Sequence, residues 1–413
     1  MRKYAKDKRP DVKPVIKAEL SGKNKKWRIA AVILLLILGA SLIAFSAVRL
    51  LGKGKGYTEI EAEDSVFSEF FKLHYDIGAS GAAASAEYRK VRDVYSKALD
   101  KYAKLFSSDT DYSGIVNIRY INLHPNEEIS VDPALFEALK KLETMGDGQH
   151  YLGITLEIYG AVFSSSGDGY AAAQDPKRDA AMGDINRMAC EFSRDRDAVN
   201  IEFLADNKIR LNVSEEYMTF ASEYGFTNYI DLGIFTSAFI VDATAEALTE
   251  EGLTYGSISS YDGFSRNLDT RDIDYSFSFY SKYGDTVYPV CDVSYKGSIS
   301  SYAPKTYPTG KIDALDFYLY SDGVSAHKFI DTESGEYKSS LPDLLLASRD
   351  ESCFSLAIRA YNALVRDSFD EEVLTGIGAA WLEGNTVRHM GDEVEISNPY
   401  SDEKVSFIIA KSK

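Results

Sequence analysis

The segment from Tyr229 to Gly263 has the residue types of a site for a phosphate-bearing ligand. It predicts a strand, a turn at Asp231-Leu232-Gly233, a long helix and a second strand that ends at Gly263. Free main-chain amides at a helix N-terminus bind anions, and a glycine before the helix lets the backbone approach a phosphate closely. The segment therefore indicates an anion site, although Asp-Leu-Gly after a strand is equally typical of an ordinary turn.

Four motifs, taken in order, resemble the ApbE-type flavin transferases, the FAD:protein FMN transferases. Asp231–Asp242 reads DLGIFTSAFIVD where that family has approximately DLGGIAKGYAVD, and Ile258–Gly263 reads ISSYDG where it has a strand ending VNxGG. His327–Gly335 reads HKFIDTESG against HHIIDPKTG, and Tyr112–Asn122 is similar to a Y-x-G-I-N-N-I-x-x-I-N form. The order and spacing agree over roughly Glu59–Asn398.

The resemblance implies an α+β flavin-transferase fold that binds FAD and Mg²⁺ and transfers FMN to a Thr or Ser of a redox partner protein. The metal would neutralise the pyrophosphate and stabilise the leaving AMP. By the same resemblance His327 and Asp331 are the candidate catalytic residues. The candidate cofactor-binding residues are Asn117, Asn122, Asp231, Gly233, Ser237 and Gly263.

The departures from the family pattern fall at the ligand positions. In the glycine segment, Ile234 and Ala238 replace the second and third Gly of the family pattern and add side chains beside the cofactor. Ser237 replaces the Lys of the pattern and removes a cation. Asp262 replaces a further Gly. The A-D-A-L-S-T metal motif aligns with Ser355–Ala360, so the family's metal ligands correspond to Leu356 and Ala360, which cannot bind a hard cation. The metal site is therefore unknown.

Other interpretations of these residues remain open. Asn117 and Asn122 could satisfy local backbone, Asp242 could be a surface residue or a capping partner, and His327 with Lys328 could be a solvated pair on a strand. Asp331 and Gly335 could simply shape a turn. At the level of the whole protein, the alternatives are a non-catalytic flavin- or partner-binding homologue, that is a pseudoenzyme, and a surface adhesion or binding module.

The N-terminus predicts a single transmembrane anchor. Ile29–Val48 contains twenty residues without a charge, enough to span roughly 30 Å of hydrocarbon as a helix. Residues 1–28 carry eleven Lys or Arg against three acids, which favours a cytoplasmic tail. We assign residues 29–51 to the anchor, 52–58 to a linker and 59–413 to an extracytoplasmic domain at the cell membrane; the alternative is a cleaved secretory signal.

Charge and cysteine content exclude several classes of function. Residues 1–56 carry a net charge of +11. Since the whole chain carries −17, the remaining residues carry −28 and should repel nucleic acid. Three cysteines, widely spaced, form neither a zinc motif nor a disulfide framework, which leaves one optional bridge. The five histidines show no pair at i, i+4, which argues against a zincin.

The elements that must position the candidate site are predicted from periodicity and end signals. Helices are expected at Ala84–Ser107, Asp132–Gly146, Ser214–Gly225, Thr236–Glu251 and Glu351–Arg366. Strands are expected at Asn200–Phe203, Lys208–Val213, Gly256–Tyr261, Asp274–Tyr280, Leu315–Tyr320 and Val405–Ala410. Their irregular interleaving predicts the α+β class, and Ser164–Arg178 reads as a loop or insertion.

Overall fold

The computed structural model describes residues 56–63, 65–283, 286–308 and 316–412. The predicted cytoplasmic tail and the anchor at 29–51 lie outside the described residues, as do positions 52–55 of the predicted linker. Among the helices that are described, none combines the length and the hydropathy needed to cross a bilayer.

The centre of the domain is a nine-stranded sheet, in which neighbouring strands are antiparallel except for its last pair. Its spatial order is β1-β2-β6-β7-β10-β13-β14-β15-β17. The strands are β1 Gly56–Ile60, β2 Phe71–Ile77, β6 Gly256–Ser260, β7 Phe264–Asn267, β10 Ile299–Tyr302, β13 Leu344–Ser348, β14 Gly378–Glu383, β15 Thr386–Met390 and β17 Ile408–Lys411.

Three smaller sheets surround it. They are the three-stranded sheet β16-β9-β8, the three-stranded sheet β3-β5-β4 and the hairpin β11-β12. Their strands are β3 Glu128–Ser130, β4 Val199–Leu204, β5 Lys208–Val213, β8 Asp274–Tyr283, β9 Thr286–Lys296, β11 Phe317–Leu319, β12 Ser325–His327 and β16 Glu395–Ser397.

The described part of the chain also forms helices on one side of the large sheet and around its edge. They are α1 Ala84–Leu105, α2 Ile118–Leu123, α3 Pro133–Met145, α4 Gly153–Phe163, α5 Asp168–Gln174, α6 Ala180–Arg194, α7 Glu215–Tyr224, α8 Thr236–Glu250 and α9 Cys353–Leu364. Short 3₁₀ turns occur at Gln149–Tyr151, Gly233–Phe235 and Glu371–Leu374.

The large sheet is covered on both faces. Leu344 and Leu346 of β13 join the core formed with α8 and α9, whereas Leu345 and Ala347 join a second core beneath β8 and β9. Because successive side chains of a strand point to opposite faces, this explains why every residue of β13 is buried. The fold therefore has a helix–sheet–sheet layering of the mixed α and β type that the sequence predicts.

The end signals in the sequence mark element boundaries closely. The Asp132 side chain caps α3, Pro133 is its first residue, and Gly146 follows its end. Asp206 and Asn207 have positive φ between the antiparallel strands β4 and β5, as the predicted hairpin requires. The predicted helices near α1, α7, α8 and α9 are confirmed, with ends that differ by up to two residues.

Two expectations change. Ser164–Arg178 is not simply a loop, since it contains α5; its run of three alanines favours a helix, and Ala171 packs into a small core beside α4. The three cysteines, Cys190, Cys291 and Cys353, are buried free thiols rather than partners in a bridge.

Candidate functional site

A cavity of about 330 Å³ opens where the predicted Asp-Leu-Gly turn meets the start of α8. Its walls come from the end of α1 and the following loop, one side of α4, the turn between β6 and β7 (residues 260–263), and the chain on either side of β11-β12. The lining includes Phe67, Phe70, Phe106, Asp109, Leu156, Phe163, Asp231, Gly233, Ser237, Tyr261, Asp316 and Lys328.

The position of Asp231 is fixed by an asparagine on α2. Asn122 Oδ1 accepts hydrogen bonds from the main-chain N–H groups of Tyr229 (3.0 Å) and Ile230 (2.9 Å), and its Nδ2 donates to Ile230 O (2.8 Å). The N–H of Asp231 donates to His150 O (2.9 Å). These bonds hold the extended segment rigidly, so the carboxylate that follows it points into the cavity.

Asp231 and Gly233 together shape the entrance to α8. Asp231 Oδ1 accepts from the Gly233 N–H at 2.6 Å, and Gly233 has a φ of +54°, the left-handed region that disfavours other residues. Burial raises the pKa of Asp231 to about 6, against the opposing effect of hydrogen bonds from Ser108 and Gly233. This carboxyl group therefore changes charge close to neutral pH.

Lys328, which also lines the cavity, is the centre of a buried charge network. Its Nζ lies 3.2 Å from Asp262 Oδ2 and 3.1 Å from Asp316 Oδ2, and it sits over the Tyr261 ring. Burial alone would lower the pKa of Lys328, but Asp316 and Asp262 more than offset this and raise it. The lysine is therefore a fixed cation already neutralised by two carboxylates.

The lining of the cavity combines aromatic and acidic side chains. Phe67, Phe70 and Tyr261 are among the aromatic residues, with Phe70 and Tyr261 in edge-to-face contact. Asp109 and Asp231 are among the acidic residues, and burial, reinforced by the charge of Asp316, raises the pKa of Asp109. The aromatic residues of such a cavity suit a planar ring, whereas its carboxylates are unfavourable for a phosphate.

Comparison with known structures shows which fold this is. The ApbE protein of Thermotoga maritima superposes with a TM-score of 0.54 at 15% identity, over 83% of this chain and 97% of that one. The chain has the ApbE fold. The fold expected from the sequence motifs is thus confirmed, including the long α8 behind the Asp-Leu-Gly turn.

Two further ApbE structures are similar at lower scores. A mutant of the flavin transferase ApbE from Vibrio cholerae gives 0.49 at 12% identity, over 83% of this chain and 97% of that one. The apo flavinyl transferase ApbE from Pseudomonas stutzeri gives 0.45 at 13% identity, over 83% and 96%. The fold assignment rests on the Thermotoga protein alone. No protein-family model and no curated protein sequence matches the chain.

Within the ApbE fold, three of the predicted site residues line the cavity: Asp231, Gly233 and Ser237. Two others lie behind it. Asn122 holds the strand as described, and Asn117 caps α2, accepting from the Tyr120 N–H (2.8 Å) and donating to two main-chain carbonyls. The cofactor-binding roles of Asn117 and Asn122 stay predictions. In the structure, the side chains of both residues bond to main-chain groups and stabilise the backbone.

Gly263 lies on the far side of the turn between β6 and β7. Its φ is +106°, and a Cβ atom there would lie 2.0 Å from Ala303 O, so no other residue fits without moving the backbone. It lines a second cleft rather than the cavity. The glycine is needed for the close approach of two chain segments.

His327 and Asp331, the predicted catalytic pair, are not among the residues that line the cavity. Burial and the charge of Lys177 lower the pKa of His327 to about 3, and its Nδ1 accepts from the Phe329 N–H (3.3 Å). Asp331 shapes a turn, since its side chain accepts from the Glu333 N–H and from the Ser334 hydroxyl. The interpretation of His327 and Lys328 as a solvated pair is wrong, because His327 is buried and the Lys328 side chain is only 11% exposed.

The residues at the family's metal positions do not fit Mg²⁺. Leu356 and Ala360 on α9 are fully buried in the main core. At the N-terminus of that helix, the Asp242 carboxylate accepts from the N–H groups of Cys353 (3.1 Å) and Phe354 (3.0 Å) and pairs with Arg266 (2.9 Å). In the described part of the chain, no group of three or more acidic, histidine or cysteine side chains could hold a metal ion.

The sequence alone assigned no role to Asp109 or Asp316, and it offered Lys328 only as one half of a solvated pair. Asp109 lies in the loop after α1, and Asp316 immediately precedes β11, so neither sits in a recognisable motif. Lys328 replaces the second histidine of the motif and lies between His327 and Phe329, which are both buried. A charged residue at this position was the available signal of a buried cation.

Proposed function

We propose that this chain is a membrane-anchored, extracytoplasmic ApbE-like protein that binds a flavin without covalent, magnesium-dependent transfer of FMN. The observation that carries this proposal is the replacement of both metal-ligand positions by Leu356 and Ala360, packed in the core. A cavity lies at the turn formed by Asp231 and Gly233, which supports binding of a ligand. The lack of oxygen ligands for a metal argues against phosphoryl transfer.

The flavin part of the proposal rests on the aromatic residues of the cavity. Phe67, Phe70, Phe106, Phe163 and Tyr261 offer ring faces and edges to a planar ligand. The volume of about 330 Å³ is at the lower end of the roughly 300–1,000 Å³ typical of pockets for small ligands. A flavin ring would be enclosed, with its phosphate directed to the open mouth.

The location rests on the charge and hydropathy of residues 1–51. A basic tail followed by an uncharged apolar run favours a cytoplasmic N-terminus, and the acidic remainder would then be translocated. A flavin-binding domain tethered there would lie beside membrane electron-transfer proteins, which we propose as its partners. Recovery of the full-length protein in the membrane fraction after a high-salt wash checks the anchor; recovery in the soluble fraction contradicts it.

The function is tested by incubating the full-length protein in detergent with FAD, Mg²⁺ and a peptide that carries an acceptor threonine. We expect quenched flavin fluorescence, from binding, and no flavin covalently attached to the peptide by mass spectrometry. Phe70→Ala should weaken binding, whereas Tyr170→Ala, at a residue 75% exposed, should not. Covalent flavin on the peptide would contradict the absence of transfer, and unquenched flavin would contradict binding.

The acidic residues of the cavity predict a pH dependence for FMN. Above about pH 6 Asp231 is ionised and repels the phosphate; below it the carboxyl group is neutral, so affinity should rise as pH falls from 7.5 to 5. Because the phosphate also titrates near pH 6, Asp231→Asn is the control. At pH 7.5 this variant should bind FMN on the order of tenfold more tightly than the native protein, and at pH 5 equally. Equal affinities at pH 7.5, by fluorescence titration, would contradict the prediction.

A further inference from the structure

A second cleft of about 520 Å³ lies on the other side of the turn between β6 and β7. It separates the large sheet from the sheet β16-β9-β8. The large-sheet wall carries Ser257, Ser259, Ser265 and Ser301, and the opposite wall is β8. The proposed flavin site does not include this cleft.

The part of β8 that meets the cleft is its edge. Six consecutive residues, Tyr275 to Tyr280, line the cleft. Since alternate side chains of a strand point to opposite faces, a cleft that meets six residues in succession meets the edge rather than one face. The sheet order β16-β9-β8 agrees, because β8 is the last strand on that side.

The main chain of this edge has hydrogen-bonding capacity to spare. Within the described residues, β8 pairs with β9 alone, and no main-chain hydrogen bond from another segment reaches residues 275–280. In an antiparallel pair, every second residue directs its N–H and C=O away from its partner. An exposed edge of this kind is a template for one further strand unless something blocks it.

The opposite wall presents small side chains beyond Tyr57, whose hydroxyl bonds to Ser257 and Tyr275 at one end of the cleft. Ser257 and Ser259 alternate with the buried Ile258, so the face toward the cleft carries only small hydroxyl side chains there. The charges nearby are already engaged: Asp343 accepts from Ser281 Oγ (2.6 Å) and Tyr307 OH (2.7 Å), and Lys305 Nζ donates to Tyr261 O (2.7 Å). The lining that remains is hydroxyl, aromatic and aliphatic, together with His74.

We propose that this cleft binds an extended peptide segment of a partner protein, which adds as a strand to the edge of β8. The edge from Tyr275 to Tyr280 spans about 17 Å, so about six residues of the peptide would pair. Side chains of the peptide that face the serine wall should be small and uncharged. Main-chain hydrogen bonds to β8 would supply the affinity, and contacts of the peptide side chains with the cleft walls would determine which peptides bind.

The test begins with panning a library of random linear peptides on the full-length protein in detergent. An enriched peptide should slow amide hydrogen exchange at residues 275–280 and leave the exchange of α1 unchanged. Ser259→Arg, which fills the cleft from the serine wall, should weaken binding at least about tenfold. Ser85→Arg, at an exposed position on α1, is the matched control and should bind like the native protein.

Several results would overturn the proposal. They are enrichment of no peptide, protection outside residues 275–280, and unchanged binding by Ser259→Arg. Protection of the edge in the protein alone would show that the chain itself, or a second copy, occupies it. Binding of a neutral oligosaccharide that competes for the cleft, without strand-like protection of β8, would assign the site to carbohydrate instead.

Discussion

Replacing Lys328 by methionine should lower the free energy of unfolding by about 3–5 kcal/mol at neutral pH, the cost of leaving buried charge uncompensated. Asp262 is 3% exposed and Asp316 is also largely buried, so both carboxylates would lose their shared cation. Urea denaturation followed by circular dichroism measures the change.

The controls for Lys328→Met separate the network from a general effect of losing a lysine. Lys411→Met removes an exposed pair with Asp392 and should leave the free energy of unfolding unchanged. The double variant Lys328→Met/Asp262→Asn should lose less than the sum of its single changes, since the pair acts together. Additive losses would show that Lys328 does not stabilise Asp262.

Replacing Asp242 by alanine should cost about 3 kcal/mol, because one side chain stabilises two structures. It satisfies the first amides of α9, at Cys353 and Phe354, and it pairs with Arg266 on β7. A capping residue contributes about 1 kcal/mol, and a bond to a charged group about 1.5–3 kcal/mol. The same denaturation assay applies.

Asp242→Asn provides the graded comparison, since an amide can keep one bond to α9 but cannot neutralise Arg266. We expect Asp242→Asn to lower the free energy of unfolding, but by less than Asp242→Ala does. Asp184→Ala removes a surface carboxylate paired with Arg187, both more than half exposed, and should not change stability. If Asp242→Ala behaved like Asp184→Ala, the capping role would be wrong.

The sequence predicted elements wherever the determining chemistry is local. Asp132 with Pro133, Ser214 with Gly225, and Asp206 with Asn207 each act within a few residues, so their effects are readable along the chain. Helix α4, with the sequence GITLEIYGAVF, was missed because apolar residues occur around most of its circumference and leave little periodicity.

The site was harder to predict than the fold because it depends on contacts distant in sequence. The motif resemblance led to the ApbE fold, which many positions specify together, whereas the metal ligands that the resemblance implies fall at only two positions, Leu356 and Ala360. Asn122 acts on residues more than a hundred positions away, and Lys328 pairs with Asp262 across 66. No pattern of spacing encodes such pairings, so catalytic and supporting roles could not be distinguished beforehand.

The turn at residues 260–263 separates the cavity from the cleft: Tyr261 faces the first, and Ser260 and Gly263 face the second. Lys305, which lines the cleft, is bonded to the carbonyl of Tyr261, and Asp262 is bonded to both Ser260 and Lys328. If both proposed ligands bind, a displacement of this shared wall by one of them alters the site of the other. Thermodynamic reciprocity then requires that a peptide which tightens flavin binding by some factor is itself held more tightly, by the same factor, when flavin is present.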